Sequence, residues 1–279
     1  PVLYKKTVHI PSDYKGRDII LRFDGVYSYA RLWINGKLAN EHHGGFTRWE
    51  TDITELVKVG KKNEIKLEVT DRIDEISYAS GYAHHPIGGI LRDVTVYALP
   101  ENYVYNFFAE TLLDENYENA DLRLSYSTTG NARISFKLID KATGKVKFEK
   151  SDIAANKGNN EHLFKIDNPS LWDAEHPNLY LLKVDLYSES GTYSFEKEIG
   201  FRKIEIKGDR MFVNGKQVKL RGACRHDIHP TLGRTTNNEL DSLDAVLFKK
   251  SNMNFVRTSH YPPTENFLKY CDREGLYVE

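Results

Sequence analysis

The chain has 279 residues, of which 40% are hydrophobic and 12% aromatic, and this composition excludes a disordered chain. The formal charge is -1, from 39 Lys and Arg against 40 Asp and Glu, so no overall field attracts the chain to nucleic acid or anionic membranes. At roughly 150 residues per domain, the length predicts about two domains.

The first hundred residues alternate apolar and polar side chains with period two, which predicts half-buried antiparallel strands. Runs such as Ile19, Leu21 and Phe23 are typical of this pattern. The dipeptide Asn35-Gly36 predicts a type I′ hairpin turn because both residues accept positive φ. We therefore expect a β-sandwich over residues 1–100, from which N-terminal strands could be missing.

A second set of alternating runs follows the pause at Leu99-Pro100. Its strands are separated by turn residues such as those at Thr129–Asn131 and Ser190-Gly191. About a hundred residues of this kind predict an immunoglobulin-like sandwich over residues 101–204, although no disulfide supports it.

The pattern changes after Gly200. We expect a strand at Val218–Leu220, a helix that carries Leu240, Leu243, Val246 and Leu247, a strand at Asn254–Arg257, a helix at Glu265–Glu274 and a strand at Leu276–Val278. Alternating strands and helices indicate parallel pairing. Because a closed eightfold barrel needs ~250 residues, residues 205–279 predict only the start of one, a truncated unit.

Reactive groups of parallel α/β units gather at the carboxyl ends of the strands. The first such loop carries Arg225, His226, Asp227 and His229, and the second carries Arg257 and His260. Cations, imidazoles and a carboxylate suit a polyhydroxylated or anionic ligand. They could equally satisfy loop carbonyl groups.

Seven short motifs follow one another along the chain. They are Phe23–Val26, Trp33–Lys37, Gly88–Val94, Pro169–Trp172, Gly222–Pro230, Asn254–Pro262 and Cys271–Val278. Together they resemble glycoside hydrolase family 2, which includes β-galactosidases, β-glucuronidases and β-mannosidases. The resemblance implies a sugar-binding jelly roll, an immunoglobulin-like domain and a TIM-barrel catalytic domain.

The resemblance also implies roles for individual residues. His226 and His260 match histidines that hydrogen-bond sugar hydroxyls, and Arg257 matches the arginine that keeps the catalytic nucleophile ionised. Asp227 stands where the family more often has Glu, and we expect it to support the site without acting on substrate. The family's acid/base and nucleophile glutamates are expected beyond Glu279, so we expect this chain to contain no catalytic residue and to be inactive.

Other candidates are weaker. Ala83 stands where some relatives place an aspartate that reaches the active site, and either His84 or His85 could replace it or simply lie in a surface loop. His42-His43 and His84-His85 make poor metal sites because adjacent strand residues point to opposite faces.

The aromatic and thiol side chains have structural alternatives too. Trp33, Trp49 and Trp172 could stack on sugars but are more typical of a core. Cys224, near His226, could be a nucleophile, although both it and Cys271 are expected to be free thiols.

The main hypothesis is therefore the N-terminal part of a retaining exo-β-glycosidase, most simply a β-galactosidase. The alternative is a non-catalytic carbohydrate-binding or scaffold module. We expect the ligand to be a carbohydrate. We expect no cofactor and no metal, and we expect neither nucleic acid nor a membrane as a partner. Self-association through open barrel edges is also expected, because such edges would expose parts of Val246, Phe255, Phe267 and Leu276. No signal or membrane segment indicates a compartment, so bacterial cytoplasm, periplasm and secretion all stay open.

Overall fold

The computed structural model describes residues 1–71 and 87–279. Ala83, His84 and His85 lie outside the described residues. The chain divides into two compact units, each described by itself. The first unit comprises residues 1–99, 224–241 and 258–265, and the second comprises residues 100–223, 242–257 and 266–279.

The first unit contains a β-sandwich. Its strands are β1 (Val2–His9), β2 (Asp18–Phe23), β3 (Val26–Ile34), β4 (Lys37–Gly44), β5 (Trp49–Asp52), β6 (Lys62–Thr70), β7 (Gly89–Ile90) and β8 (Val94–Leu99). One sheet has the order β1-β6-β3-β4, with β7 also pairing with β3, and the other has the order β5-β2-β8. Short 3-10 helices lie at Ser12–Tyr14 and Thr54–Leu56.

The core of this sandwich follows from the period-two pattern. Alternate residues of β2 and β3, among them Leu21 and Leu32, are fully buried between the two sheets. Asn35 and Gly36 have φ of 51° and 83°, which confirms the positive-φ hairpin turn between β3 and β4. Trp49 is buried in the core, whereas Trp33 is only half-buried.

The second unit contains another sandwich. Its strands are β9 (Val104–Leu113), β10 (Ala120–Thr128), β11 (Ala132–Asp140), β12 (Val146–Ala155), β13 (Gly158–Ile166), β14 (Tyr180–Ser188) and β15 (Gly191–Ile199). The sheets have the orders β13-β10-β9 and β12-β11-β14-β15. Inward-facing side chains of both sheets, such as Leu124 and Phe136, are completely buried in one core.

Strands and helices alternate in the last part of the chain. Its elements are β16 (Ile204–Lys207), β17 (Arg210–Val213), β18 (Lys216–Val218), β19 (Gly222–Arg225), α1 (Asn238–Lys250), β20 (Phe255–Thr258), α2 (Glu265–Glu274) and β21 (Tyr277–Val278). β19, β20 and β21 form one sheet in this order, and β20 and β21 are parallel. The predicted class is confirmed: two β-sandwiches are followed by a segment of a TIM barrel.

The prediction of a first barrel strand at Val218–Leu220 is wrong. The turn at Asn214-Gly215 folds β18 back on β17, so Val218 belongs to the antiparallel sheet β16-β17-β18. The strand that joins the barrel sheet is β19. Its Gly222 packs so closely against β20 that an added Cβ would lie 1.8 Å from the carbonyl oxygen of Phe255.

The expectation that Phe267 and Leu276 are partly exposed is also wrong. Both are buried in a cluster with Ala245, Val256 and Cys271, because α1 and α2 cover one side of the short sheet. Instead, the apolar exposure of α1 lies on its opposite side, where Leu243 and Leu247 are 51% and 49% exposed. In the described ranges, 1–71 and 87–279, neither helix is long and apolar enough to cross a membrane.

Candidate active site

Two loops in the first unit carry the candidate site. The first loop, residues 226–237, follows β19, and the second loop, residues 259–264, follows β20. The rings of His226 and His260 lie 6.0 Å apart between centroids and are nearly perpendicular. His226 is half-buried and His260 is exposed, so the pair stands at the surface.

Asp227 follows His226 in the chain and is a buried carboxylate with two arginine partners. Nη1 of Arg225 donates to its Oδ1 at 2.5 Å, and Nη2 of Arg92 lies 3.3 Å from its Oδ2. The carboxylate is 3% exposed, so a lost partner could not be replaced by water. The two guanidinium groups thus hold the Asp227 side chain in place, which suits a residue that supports the first loop.

A second buried carboxylate completes the network. Arg225 also donates through Nη2 to Oδ1 of Asp241 at 3.0 Å. The hydroxyls of Thr236 and Thr264 donate to Asp241 at 2.9 and 2.5 Å. Because Thr264 belongs to the second loop and Thr236 to the first, Asp241 ties both loops to the start of α1.

Arg92 connects the loops to the first sandwich. Its guanidinium, 6% exposed, donates to the carbonyl oxygens of Pro262 at 2.6 Å and Phe46 at 2.7 Å, besides contacting Asp227. Arg48 forms a more exposed link, since it pairs with Glu265 at 2.8 Å. The loops therefore take their positions from strand ends of the sandwich as well as from β19 and β20.

Tyr261 is the aromatic centre of the site. Its ring stacks on Phe46 with centroids 4.0 Å apart, and the guanidinium carbon of Arg234 lies 4.9 Å from its centroid. Its hydroxyl accepts the backbone N–H of Asp227 at 2.6 Å and lies 3.4 Å from Nδ1 of His226. Burial raises the pKa of Tyr261, so the hydroxyl stays protonated at neutral pH.

The electrostatic surroundings of His226 favour the neutral ring. Partial burial lowers the pKa of His226, and the nearby charges of Arg234 and His260 lower it further against the opposing effect of Asp227. A neutral imidazole offers one N–H donor and one acceptor nitrogen. Such a ring can hydrogen-bond a sugar hydroxyl in either sense.

Arg257 lies in the second unit, at the carboxyl end of β20. Its side chain is 48% exposed, and its Nε lies 3.7 Å from a carboxylate oxygen of Glu279. The role that the resemblance implies for Arg257, beside the nucleophile, stays a prediction.

Other candidate residues fall elsewhere. His42 stacks on the core residue Trp49 and His43 contacts Tyr29, so the two rings lie on different faces of β4. Cys224 is an exposed thiol on β19 and Cys271 is a buried thiol of α2, and neither is part of a disulfide. Across residues 1–71 and 87–279, no group of three or more His, Cys, Asp or Glu side chains could hold a metal ion.

Sequence reasoning gave no organising role to three residues that hold the loops: it treated Arg225 only as a loop cation and did not single out Tyr261 or Arg92. Tyr261 and Arg225 stand inside the quoted motifs, directly beside His260 and His226, and Arg92 stands in the Gly88–Val94 motif. Their positions were visible, but period and spacing do not reveal which loop side chains are buried. Only the burial of Arg92, Arg225 and Asp227 distinguishes them from surface charges.

The fold and the loop site define a class of protein, the multidomain glycoside hydrolases. Models of glycosyl hydrolases family 2 match the whole length: the sugar binding domain at residues 1–100, the family's middle domain at residues 102–202 and the TIM barrel domain at residues 204–279. The chain belongs to glycoside hydrolase family 2.

Relatives in sequence and in structure agree with this family. The chain is 30% identical to a β-galactosidase of Thermoanaerobacterium thermosulfurigenes and 32% identical to one of Priestia megaterium. In each case 99% of this chain aligns, but it spans only 40% and 28% of the relative's length. A Parabacteroides merdae β-glucuronidase superposes on 99% of the chain with a TM-score of 0.90 and 26% identity, and 37% of that protein is covered.

Proposed function

We propose that these residues are the N-terminal part of a retaining exo-β-glycosidase that hydrolyses terminal β-linked sugars, and that the terminal sugar is a β-galactoside. The observation that carries the proposal is the histidine pair of His226 and His260, which presents imidazoles side by side at the ends of neighbouring strands. Family membership supplies the reaction class, and the β-galactosidase relatives at 30% and 32% identity favour galactose.

Each residue that the resemblance singles out has its own role in this proposal. His226 and His260 bind sugar hydroxyls and stabilise charge that develops in the transition state. Arg257 holds the carboxylate of the nucleophile ionised, because an adjacent guanidinium lowers the pKa of a carboxyl group. Asp227 keeps the first loop in place through Arg225 and Arg92 and does not act on substrate.

We also propose that the 279 residues alone do not hydrolyse glycosides. A retaining mechanism needs two carboxyl groups ~5–5.5 Å apart, one of them protonated. The buried carboxylates beside the histidine pair, Asp227 and Asp241, are both bound by Arg225. Their oxygens are already engaged by Arg225 and by loop hydroxyls, so both carboxylates hold the loops and neither is offered to a substrate.

The test compares this chain with the product of the complete reading frame. The complete protein should release nitrophenol from the β-galactoside faster than from the β-glucuronide or β-mannoside, with the β-anomer of the sugar as first product. His260→Ala should lower its kcat/KM by ~10² or more, because oriented donors at a developing charge contribute that much. This chain alone should give no turnover above buffer.

Three results would contradict the proposal. Inversion at the anomeric carbon would exclude the retaining mechanism. Faster hydrolysis of the β-glucuronide would show that the terminal sugar is a glucuronide and not a galactoside. Turnover by this chain alone, abolished by Asp227→Ala, would refute the claim of inactivity. If the complete protein binds β-linked glycans without cleaving them, the alternative of a non-catalytic binding module, suggested by the sugar binding domain at residues 1–100, takes its place.

A further inference from the structure

The geometry points to Tyr261 as a positioning residue that fixes the protonation pattern of His226: its hydroxyl donates to Nδ1, so that the neutral ring carries its proton on Nε2. The inference rests on the proposed function only for what the Nε2–H group does next, which is to face a sugar hydroxyl. The tautomer itself is a property of these two loops.

The hydrogen-bond directions at the Tyr261 oxygen carry the argument. The backbone N–H of Asp227 can only donate, and it lies 2.6 Å from that oxygen, so it uses a lone pair of the hydroxyl. With that lone pair used, the hydroxyl can still act as a donor through its own O–H bond. Nδ1 of His226 lies 3.4 Å away, a separation at the long end for a hydrogen bond, and catalytic hydrogen bonds often shorten when substrate binds.

The ring of Tyr261 is held where this contact requires it. One side stacks on Phe46 with an interplanar angle of 14°, and the residue is 8% exposed. Arg92 fixes the backbone on both sides of that stack, since it donates to the carbonyl oxygens of Phe46 and Pro262. Contacts with the first sandwich thus hold the Tyr261 hydroxyl within reach of Nδ1 of His226.

The charges that face His226 are consistent with a neutral acceptor. Arg234 and His260 oppose its protonation, whereas Asp227 favours it. Burial raises the pKa of Tyr261, which keeps the hydroxyl a donor across the pH range in which His226 titrates. A histidine whose Nδ1 accepts a hydrogen bond has Nε2 as its donor, and the partner of one ring nitrogen sets the role of the other.

The experiment is nitrogen-15 NMR of the histidine side chains in this 279-residue chain at a pH where His226 is neutral, with His226→Gln used to assign its resonances. The wild type should show Nε2 as the protonated nitrogen and Nδ1 as the unprotonated one. In Tyr261→Phe the ratio of the two tautomers should fall about 2- to 10-fold, the range that corresponds to the net free energy of one hydrogen bond.

Tyr180→Phe is the matched control. The Tyr180 hydroxyl is also buried and accepts a backbone N–H, that of Ser170 at 2.7 Å, but it lies in the second unit. The control should lose comparable stability and leave the His226 tautomer ratio unchanged.

Two results would overturn the inference. One is a wild-type protein in which the neutral His226 ring carries its proton on Nδ1, and this measurement does not depend on the folding of any variant. The other is an unchanged ratio in a folded Tyr261→Phe protein. Neither depends on glycoside hydrolysis: a complete protein without glycosidase activity but with the Nε2–H tautomer would refute the proposed function and leave this inference intact.

Discussion

Replacing Arg92 by alanine should destabilise the first unit far more than replacing other arginines of the same sandwich. The guanidinium is 6% exposed and donates to two backbone carbonyl oxygens, and it lies 3.3 Å from Asp227. Removing one partner of a buried ion pair costs ~3–5 kcal/mol because the other charge is left buried. Asp227 keeps Arg225, so that penalty is reduced, while the two carbonyl oxygens lose their donor.

The magnitude can be bounded from these contacts. A hydrogen bond that involves a charged group contributes ~1.5–3 kcal/mol, and individual losses in one network are not additive. We therefore expect Arg92→Ala to reduce the free energy of unfolding of the first unit by about 2–4 kcal/mol. Arg92→Lys keeps the charge but not the forked donors, so its effect should be smaller.

The matched control is Arg48→Ala. Arg48 pairs with Asp24 and Glu265, but its side chain is 37% exposed, and surface ion pairs contribute ~0–1 kcal/mol. The assay is urea unfolding followed by hydrogen exchange of the amides in residues 1–71 and 259–264, because a chain of two units need not unfold in one step. Equal loss of protection in Arg92→Ala and Arg48→Ala would refute the assignment of Arg92 as the main link between sandwich and loops.

Two further predictions concern pH and association. Burial lowers the pKa of His42, His162 and His226 below the ordinary 6.5, so below pH 6.5 the folded chain binds fewer protons than the unfolded chain. The free energy of unfolding should therefore be highest above pH 6.5 and should fall as the pH decreases from 6.5 through the lowered pKa values. A thermal midpoint that does not change between pH 7 and pH 5 would contradict this prediction. His162→Gln should make the free energy of unfolding depend less steeply on pH. The exposed Leu243 and Leu247 of α1 should support self-association, because exposed apolar patches favour it. Sedimentation should therefore detect oligomers, and Leu247→Glu should reduce their fraction. A strictly monomeric wild type would refute the prediction.

Local structure was predictable wherever a short-range rule governs it. The alternation of Ile19, Leu21 and Phe23 predicted a strand with one buried face, and the structure has these three side chains in the core of the first sandwich. The helix Glu265–Glu274 was predicted at its observed bounds. Gly275 follows it with φ of 76°, the conformation that glycine adopts most readily after a helix.

Strand partnership was not predictable by the same rules. Val218–Leu220 and Gly222–Arg225 are adjacent short segments, and no local period distinguishes the strand that pairs back on β17 from the strand that enters the barrel sheet. The choice depends on contacts made across the fold. At Gly222 the backbone of β20 approaches too closely for any side chain, and only the assembled sheet reveals that requirement.

The sequence by itself determined the two sandwiches, the change to alternating strands and helices, and the histidines that follow β19 and β20. Only the tertiary structure decided which charges support them. Arg92 and Asp227 are 135 residues apart and meet as buried partners, and Tyr261 reaches both Phe46 and His226. Period and turn chemistry act between near neighbours, whereas the pairing of buried charges is decided by desolvation, which exists only once the chain has folded around them.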